Sequence, residues 1–254
     1  MSASSEKRSQ SPSLTTTVIL LGTQERNQEC QAIFQSSHQR QKITANHCAN
    51  TIVVSHPLVR AHGRSGNDDL KGRYHHDYLR GGRGDDSLRG KAGNDTLIGS
   101  SGSDLLIGHK HHDLLRGGRS DDVLRGKSGN DTLRGGEGRD FLQGAKGSDL
   151  LLGHQGHDLL RGNSGSDTLS GGPGNDSLSG GSGSDLFVLS TGQDDVRDFK
   201  PGEGDRISMP TTASLKLHQR ESHLLLTDSI NGISTTLLNT SRADLLNAQP
   251  ELLN

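Results

Sequence analysis

Leucine recurs at every ninth position from Leu70 to Leu178, and glycine and aspartate keep the same period around it. Residues 63–188 divide into fourteen consecutive nonapeptides with nothing inserted. The first reads Gly63-Arg64-Ser65-Gly66-Asn67-Asp68-Asp69-Leu70-Lys71, and the thirteenth Gly171-Gly172-Pro173-Gly174-Asn175-Asp176-Ser177-Leu178-Ser179. Position 1 is Gly and position 6 is Asp in all fourteen, while position 8 is Leu in thirteen and Phe187 in the last. Position 4 is Gly in eleven, with His75, His111 and Ser120 as the departures. The pattern predicts a turn over positions 1 to 6 and a very short strand over positions 7 to 9. Position 8 then points inward and positions 7 and 9 outward, because successive side chains on a strand alternate faces. A fixed short period of this kind marks a stacked repeat architecture.

The pattern G-G-x-G-x-D-x-U-x resembles the hemolysin-type calcium-binding repeat, the RTX repeat of secreted bacterial proteins. The resemblance covers about half of the chain. It implies an all-β fold: a right-handed parallel β-roll, a solenoid of fourteen nonapeptide repeats, with a small β-rich C-terminal cap. Two nonapeptides then make one coil, and seven coils stacked at about 4.8 Å give a roll on the order of 34 Å long.

The chemistry of the repeat suits calcium. Glycines at positions 1, 2 and 4 permit positive φ and let backbone pass close to an ion. The position 6 aspartates are Asp68, Asp77, Asp86, Asp95, Asp104, Asp113, Asp122, Asp131, Asp140, Asp149, Asp158, Asp167, Asp176 and Asp185. They supply hard charged oxygens, and calcium takes six to eight oxygen ligands from carboxylates and carbonyls together. In the family each ion sits between the loops of repeats n and n+2, which implies up to about twelve Ca2+ ions here. Stacked carboxylates around so thin a core would repel one another, so the ions are expected to be part of the fold.

The flanking regions differ. Residues 189–254 contain Asp194-Asp195-Val196-Arg197-Asp198-Phe199 and Pro201-Gly202-Glu203-Gly204-Asp205-Arg206-Ile207, similar to the segment that caps RTX arrays. Leu224-Leu225-Leu226 and Ile233 to Leu238 flank Asn231-Gly232, a favoured hairpin dipeptide. A short helix is expected from Ser241 to Ala248, with Ser241 as N-cap and Asp244 at the capping-box position. The resemblance places an uncleaved type I export signal in this tail. Residues 1–62 are rich in Ser, Thr and Gln and carry both cysteines, Cys30 and Cys48. They are left without a fold, with disorder or a small cap as alternatives.

Composition narrows the function. Apolar residues are 28% and aromatics 2% of the 254 residues, with 35 Gly and no Trp, a balance that outside a repeat would suggest disorder. A net charge of -2 implies no nucleic-acid or membrane partner, and no stretch reaches the ~18 apolar residues of a membrane span. No H-E-x-x-H or G-x-S-x-G motif is present. The reading is therefore a non-enzymatic, calcium-binding structural or interaction module, secreted through a type I transporter to the exterior or surface of a Gram-negative-type bacterium. Its alternative is the repeat and secretion portion of an RTX protease, lipase or cytolysin.

Three further features carry expectations. His75-His76 and His109-Lys110-His111-His112 suggest either a transition-metal site or tolerated substitutions. Basic residues recur at position 9 (Lys71, Arg80, Arg89, Arg116, Arg125, Arg134, Arg161), as a face for cell-surface polysaccharide or as a solvated balance to the aspartates. In odd-numbered repeats position 7 stacks Leu105, Val123, Phe141 and Leu159 into an apolar stripe. Self-association, or residues 1–62 folding back, would cover it; strand propensity alone is the alternative.

Overall fold

The computed structural model describes residues 33–36, 42–45, 47–54, 60–209 and 215–253. Within them the chain winds into a parallel β-roll, each turn contributing one strand to each of two sheets. One sheet runs from Ile33–Ser36 through Ser177–Ser182 and Gly192–Val196; the other runs from Lys42–Thr44 through Thr168–Ser170 and Leu186–Val188 to Arg206–Ser208. Equivalent positions pair in register: Leu115 lies opposite Leu97 on one side and Leu133 on the other.

The position 8 side chains fill the space between the sheets. Each Leu from Leu70 to Leu178, and Phe187, is at most 1% exposed. The strands are longer than the pattern predicts. Most run six residues, from position 7 to position 3 of the next repeat, as in Ser87–Ala92. Only positions 4 to 6 are left for the turn. The ladder skips position 1, as where Arg116 pairs Arg134 and Gly118 pairs Gly136 while Gly117 pairs with nothing across the sheet.

The roll also begins before the regular repeats. Thr51–Val54 pairs with Asp69–Lys71, and Arg60–Ser65 with Tyr78–Arg83. Ile52 and Ala61 stand in the Leu column and are buried. Sequence spacing alone missed these turns because Val, Ile and Ala replace the signature residues, although they still fit a pleated, buried surface. Cys48 is disulfide-bonded, and the chain's other cysteine, Cys30, lies outside the described residues.

At the other end two devices close the sheets, since an open edge invites further pairing. Ile233–Leu237 adds in parallel to Gly192–Val196 and then turns antiparallel into His223–Asp228 and Lys216–Arg220. The Asn231-Gly232 dipeptide sits at the expected hairpin, with Gly232 at φ 65°. The other sheet ends at Arg206–Ser208, where buried Gln249 acts as a surrogate strand. Its amide accepts from the Ile207 N–H at 2.6 Å and donates to the Ile207 carbonyl at 3.0 Å. Gln249 is held there by the helix Arg242–Ala248, capped by Ser241 and Asp244 as the sequence predicts.

Candidate metal centre

The fourteen position 6 aspartates are all buried, none more than 3% exposed. They form two columns, one at each edge of the roll, with members eighteen residues apart. In each column one carboxylate oxygen accepts the backbone N–H of the Asp one turn earlier. Asp86 thus accepts from Asp68, Asp104 from Asp86 and Asp131 from Asp113, all at 2.8 Å. The other oxygen, Oδ2, is the informative one. It is buried and without a hydrogen-bond partner in Asp68, Asp86, Asp95, Asp104, Asp113, Asp122, Asp131, Asp140, Asp149, Asp158, Asp167, Asp176 and Asp185. Asp77 differs, its carboxylate accepting from the Arg73 N–H at 3.3 Å.

The free oxygens explain the invariant glycine at position 1. A Cβ there would stand 2.0–2.4 Å from Oδ2 of the same repeat's Asp. Positive φ is not the reason, since none of these glycines adopts it. Clearance for the carboxylate is. In several turns the same space is bounded by the next coil's position 1 carbonyl, as Gly90 O is for Gly72 and Gly180 O for Gly162. The result is a row of small cradles walled by oxygen.

Positive φ belongs instead to positions 2 and 4. The position 4 glycines lie between 102° and 154°, beyond the left-handed helical basin, where only glycine is at ease. His75, His111 and Ser120 draw back to 73–78°. Eleven non-glycine residues of the array hold positive φ, at a cost on the order of 1 kcal/mol each.

Burial sets the electrostatics. It pushes the carboxyls of Asp95, Asp131, Asp140 and Asp149 up to about 6, and those of Asp86, Asp104, Asp158 and Asp167 up to about 7. Asp113 and Asp122 reach about 8; after burial, the negative charges of Asp131 and Asp95 add to the rise at Asp113. A buried carboxylate with one oxygen unsatisfied is costly as an anion. Two remedies exist, a proton or a cation. The donors around it are oxygens only, which suits a hard cation such as calcium rather than zinc or copper. Among the described residues no three His, Cys, Asp or Glu side chains converge, so backbone carbonyls must complete any coordination shell.

The columns extend past the expected set. Asp194 accepts from the Asp176 N–H at 3.0 Å and Asp205 from the Asp185 N–H at 2.9 Å; both are buried. Asp194 follows Asp176 by eighteen residues, so spacing alone could have found it. Asp205 follows Asp185 by twenty, and the two extra residues hid it. At the N-terminal end Asn50 occupies the place of a position 6 Asp, donating to Asp68 through its N–H and its amide.

Position 5 carries a second ladder of opposite sense. Asn67 accepts from the Asp85 N–H, His76 from Asn94, His112 from Asn130 and His157 from Asn175. The histidines at position 5 therefore substitute for Asn as acceptors. The pairs His75-His76 and His111-His112 are separated by the intervening Gly93-Asn94 turn and do not meet as a metal site. Successive repeats alternate sheets, so the basic residues of position 9 are also divided: Lys71, Arg89, Arg125 and Arg161 lie on one sheet, Arg80, Arg116 and Arg134 on the other. Leu105, Val123, Phe141 and Leu159 do stack in register, but each is half-buried, and the Arg161 guanidinium lies 5.5 Å from the Phe141 ring centroid.

Comparison with known proteins identifies the repeat. The RTX calcium-binding nonapeptide repeat matches in four copies, at residues 60–88, 89–124, 125–160 and 161–196. Among solved structures the chain is similar to the extracellular lipase LipA from Serratia marcescens, with 17% identity over 77% of this chain and 44% of that one and a TM-score of 0.27. It is similar also to the AlgE6R3 subunit of the Azotobacter vinelandii mannuronan C5-epimerase, with 26% identity over 51% of this chain and 76% of that one and a TM-score of 0.30. The chain thus spans less than half the length of the lipase. No curated protein matches the chain. Residues 60–196 match without a break over more than half of the sequence, and the chain belongs to the RTX calcium-binding nonapeptide repeat family, its array a calcium-binding repeat module.

Proposed function

We propose that calcium ions occupy the steps between successive carboxylates in both columns and fold the roll outside the cell, where it serves as a structural or interaction module and not as a catalyst. The observation that carries this reading is the repeated buried Oδ2 without a partner. The ligand set is the fourteen position 6 aspartates, joined by Asp194 and Asp205 at the C-terminal end of the columns. Eight carboxylates in each column leave seven steps, so about fourteen ions are expected rather than about twelve. Calorimetric calcium titration reads this directly. Asp194→Asn with Asp205→Asn should lower the stoichiometry by about two. An unchanged stoichiometry would remove both residues from the ligand set.

The regular array is read as residues 63–188 and a cap with export region as 189–254, while the strands Ile33–Ser36, Lys42–Thr44 and Thr51–Val54 already belong to the roll, so the N-terminal region through residue 62 is not a domain apart from it. Type I export suits a chain that needs calcium to fold, because such a chain stays unfolded in a low-calcium cytosol, leaves in that state and folds outside. Deleting residues 200–254 beside a matching transporter should retain the chain in the cell. That deletion also removes the sheet-closing cap, so a second variant is needed. Gln249→Leu unties the Arg206–Ser208 edge while keeping the tail, and should still be exported. Retention of both variants would mean that the cap, not a signal, governs export.

A further inference from the structure

One face of the roll carries an open groove of about 910 Å³. It lies on the sheet that contains Ser87–Ala92, Leu105–Lys110 and Val123–Ser128. Its floor is a column of position 2 side chains from even-numbered repeats. Lys91, His109 and Lys127 pair directly across adjacent strands, so their side chains rise along the roll one coil at a time. Arg73 and Lys110 add two further exposed cations. Tyr74 stands at one end and is 68% exposed.

Three observations set this groove apart from a solvated charged surface. No Asp or Glu lines it. The nearby Asp69 is already engaged by Lys71 and Arg89, and among the described residues Arg73, Lys91, Lys110 and Lys127 form no ion pair. His109, in the middle of the column, keeps its Nε2 buried and without a hydrogen-bond partner. Burial, with Lys91, Lys127 and Arg89 around it, also holds the His109 imidazole below its ordinary pKa, so the cluster is short of negative charge.

We propose that this groove binds an acidic polysaccharide laid along the roll axis, its anionic groups meeting the cations of successive coils and a sugar ring covering Tyr74. The inference rests on the calcium-folded roll, because only stacked coils bring residues eighteen apart into one column. The spacing favours a linear polyanion: cations recur at the sheet repeat of about 4.8 Å. Single-stranded nucleic acid is disfavoured, since its binding sites stack successive bases on several aromatic side chains and this face exposes one. A membrane surface is disfavoured because, among the described residues, the exposed large apolar side chains are Tyr74 and Ile230 alone, and Ile230 belongs to the C-terminal cap.

The test is calorimetric titration of the full chain at fixed free calcium and about 0.1 M salt, where long-range charge effects are damped. The probes are a dextran sulfate oligomer, neutral dextran of the same length, and oligothymidylate. Binding of dextran sulfate alone is expected. Lys91→Gln with Lys127→Gln should weaken it roughly tenfold, about what two exposed ion pairs supply. Tyr74→Ser should weaken it further, and Arg80→Gln with Arg116→Gln on the other sheet should leave it unchanged. No binding of dextran sulfate, equal loss in the two double variants, equal binding of neutral dextran or tighter binding of oligothymidylate each overturns the proposal. Far-UV circular dichroism of the same samples separates the two levels. Failed binding with an intact β signal overturns the groove, whereas a wild-type chain without β signal in calcium overturns the roll and the groove with it.

Discussion

In chelator, the far-UV circular dichroism of this protein is expected to be that of a coil, and millimolar calcium, the range in which extracellular modules bind, should convert it to a β spectrum with compaction. The reason lies in what each repeat gains and loses. Nine residues are ordered for one fully buried Leu, which contributes about 2 kcal/mol. Backbone ordering alone costs on the order of 1 kcal/mol per residue. Inter-coil hydrogen bonds return part of that, but thirteen of the fourteen repeats also bury a carboxylate with an unsatisfied oxygen, and eleven non-glycine residues sit at positive φ. Calcium turns the carboxylate from a liability into a ligand, so its binding free energy becomes folding free energy. The effect should be all or nothing across the array, because every coil depends on its neighbours. Equal β content in chelator and in calcium would refute it.

The second large effect is pH dependence, opposite in sign with and without calcium. In the folded chain burial raises eleven of the columnar carboxyls from 3.8 to about 6, 7 or 8, as at Asp95, Asp86 and Asp113, and raises those of Asp68, Asp176, Asp185 and Asp205 as well. Without calcium the folded state therefore holds more protons than the unfolded state between pH 3.8 and about 8. Stability then falls as pH rises through that window. It is fully present below the unfolded value and lost as pH passes the folded values. Acid should thus stand in for calcium, and the chelated chain should gain β signal as pH is lowered from about 8 to about 4. With calcium the order reverses, because the ion displaces those protons. The calcium midpoint should fall by at least about tenfold between pH ~5.5 and pH ~8, with protons released on binding. A midpoint independent of pH across that range would show that the carboxylates are ionised before calcium arrives, and that their burial is not what the ion relieves.

The sequence by itself determined the architecture and the core. An unbroken nine-residue period fixes which side chain points inward, because strand alternation leaves position 8 no other choice. Asp at every position 6 likewise placed the carboxylates, and the short motifs around Asn231-Gly232 and Ser241 placed the closing hairpin and helix, since turn and cap chemistry is local. What needed the tertiary structure was everything set by stacking. Ile52 and Ala61 join the roll through pairing with turns that do carry the signature, not through their own residues. Asp205 joins a carboxylate column across a two-residue insertion that breaks the count in sequence but not in space. The invariant glycine at position 1 reads in sequence as backbone freedom, and the fold shows it to be clearance for a carboxylate. The basic residues of position 9 look like one ladder along the chain, yet half a coil of winding carries alternate members to opposite faces. The cations that do assemble, Arg73, Lys91 and Lys127, come from position 2, where sequence variability conceals them. A residue's neighbours in a solenoid are those eighteen positions away, and that distance becomes contact only when the coils close.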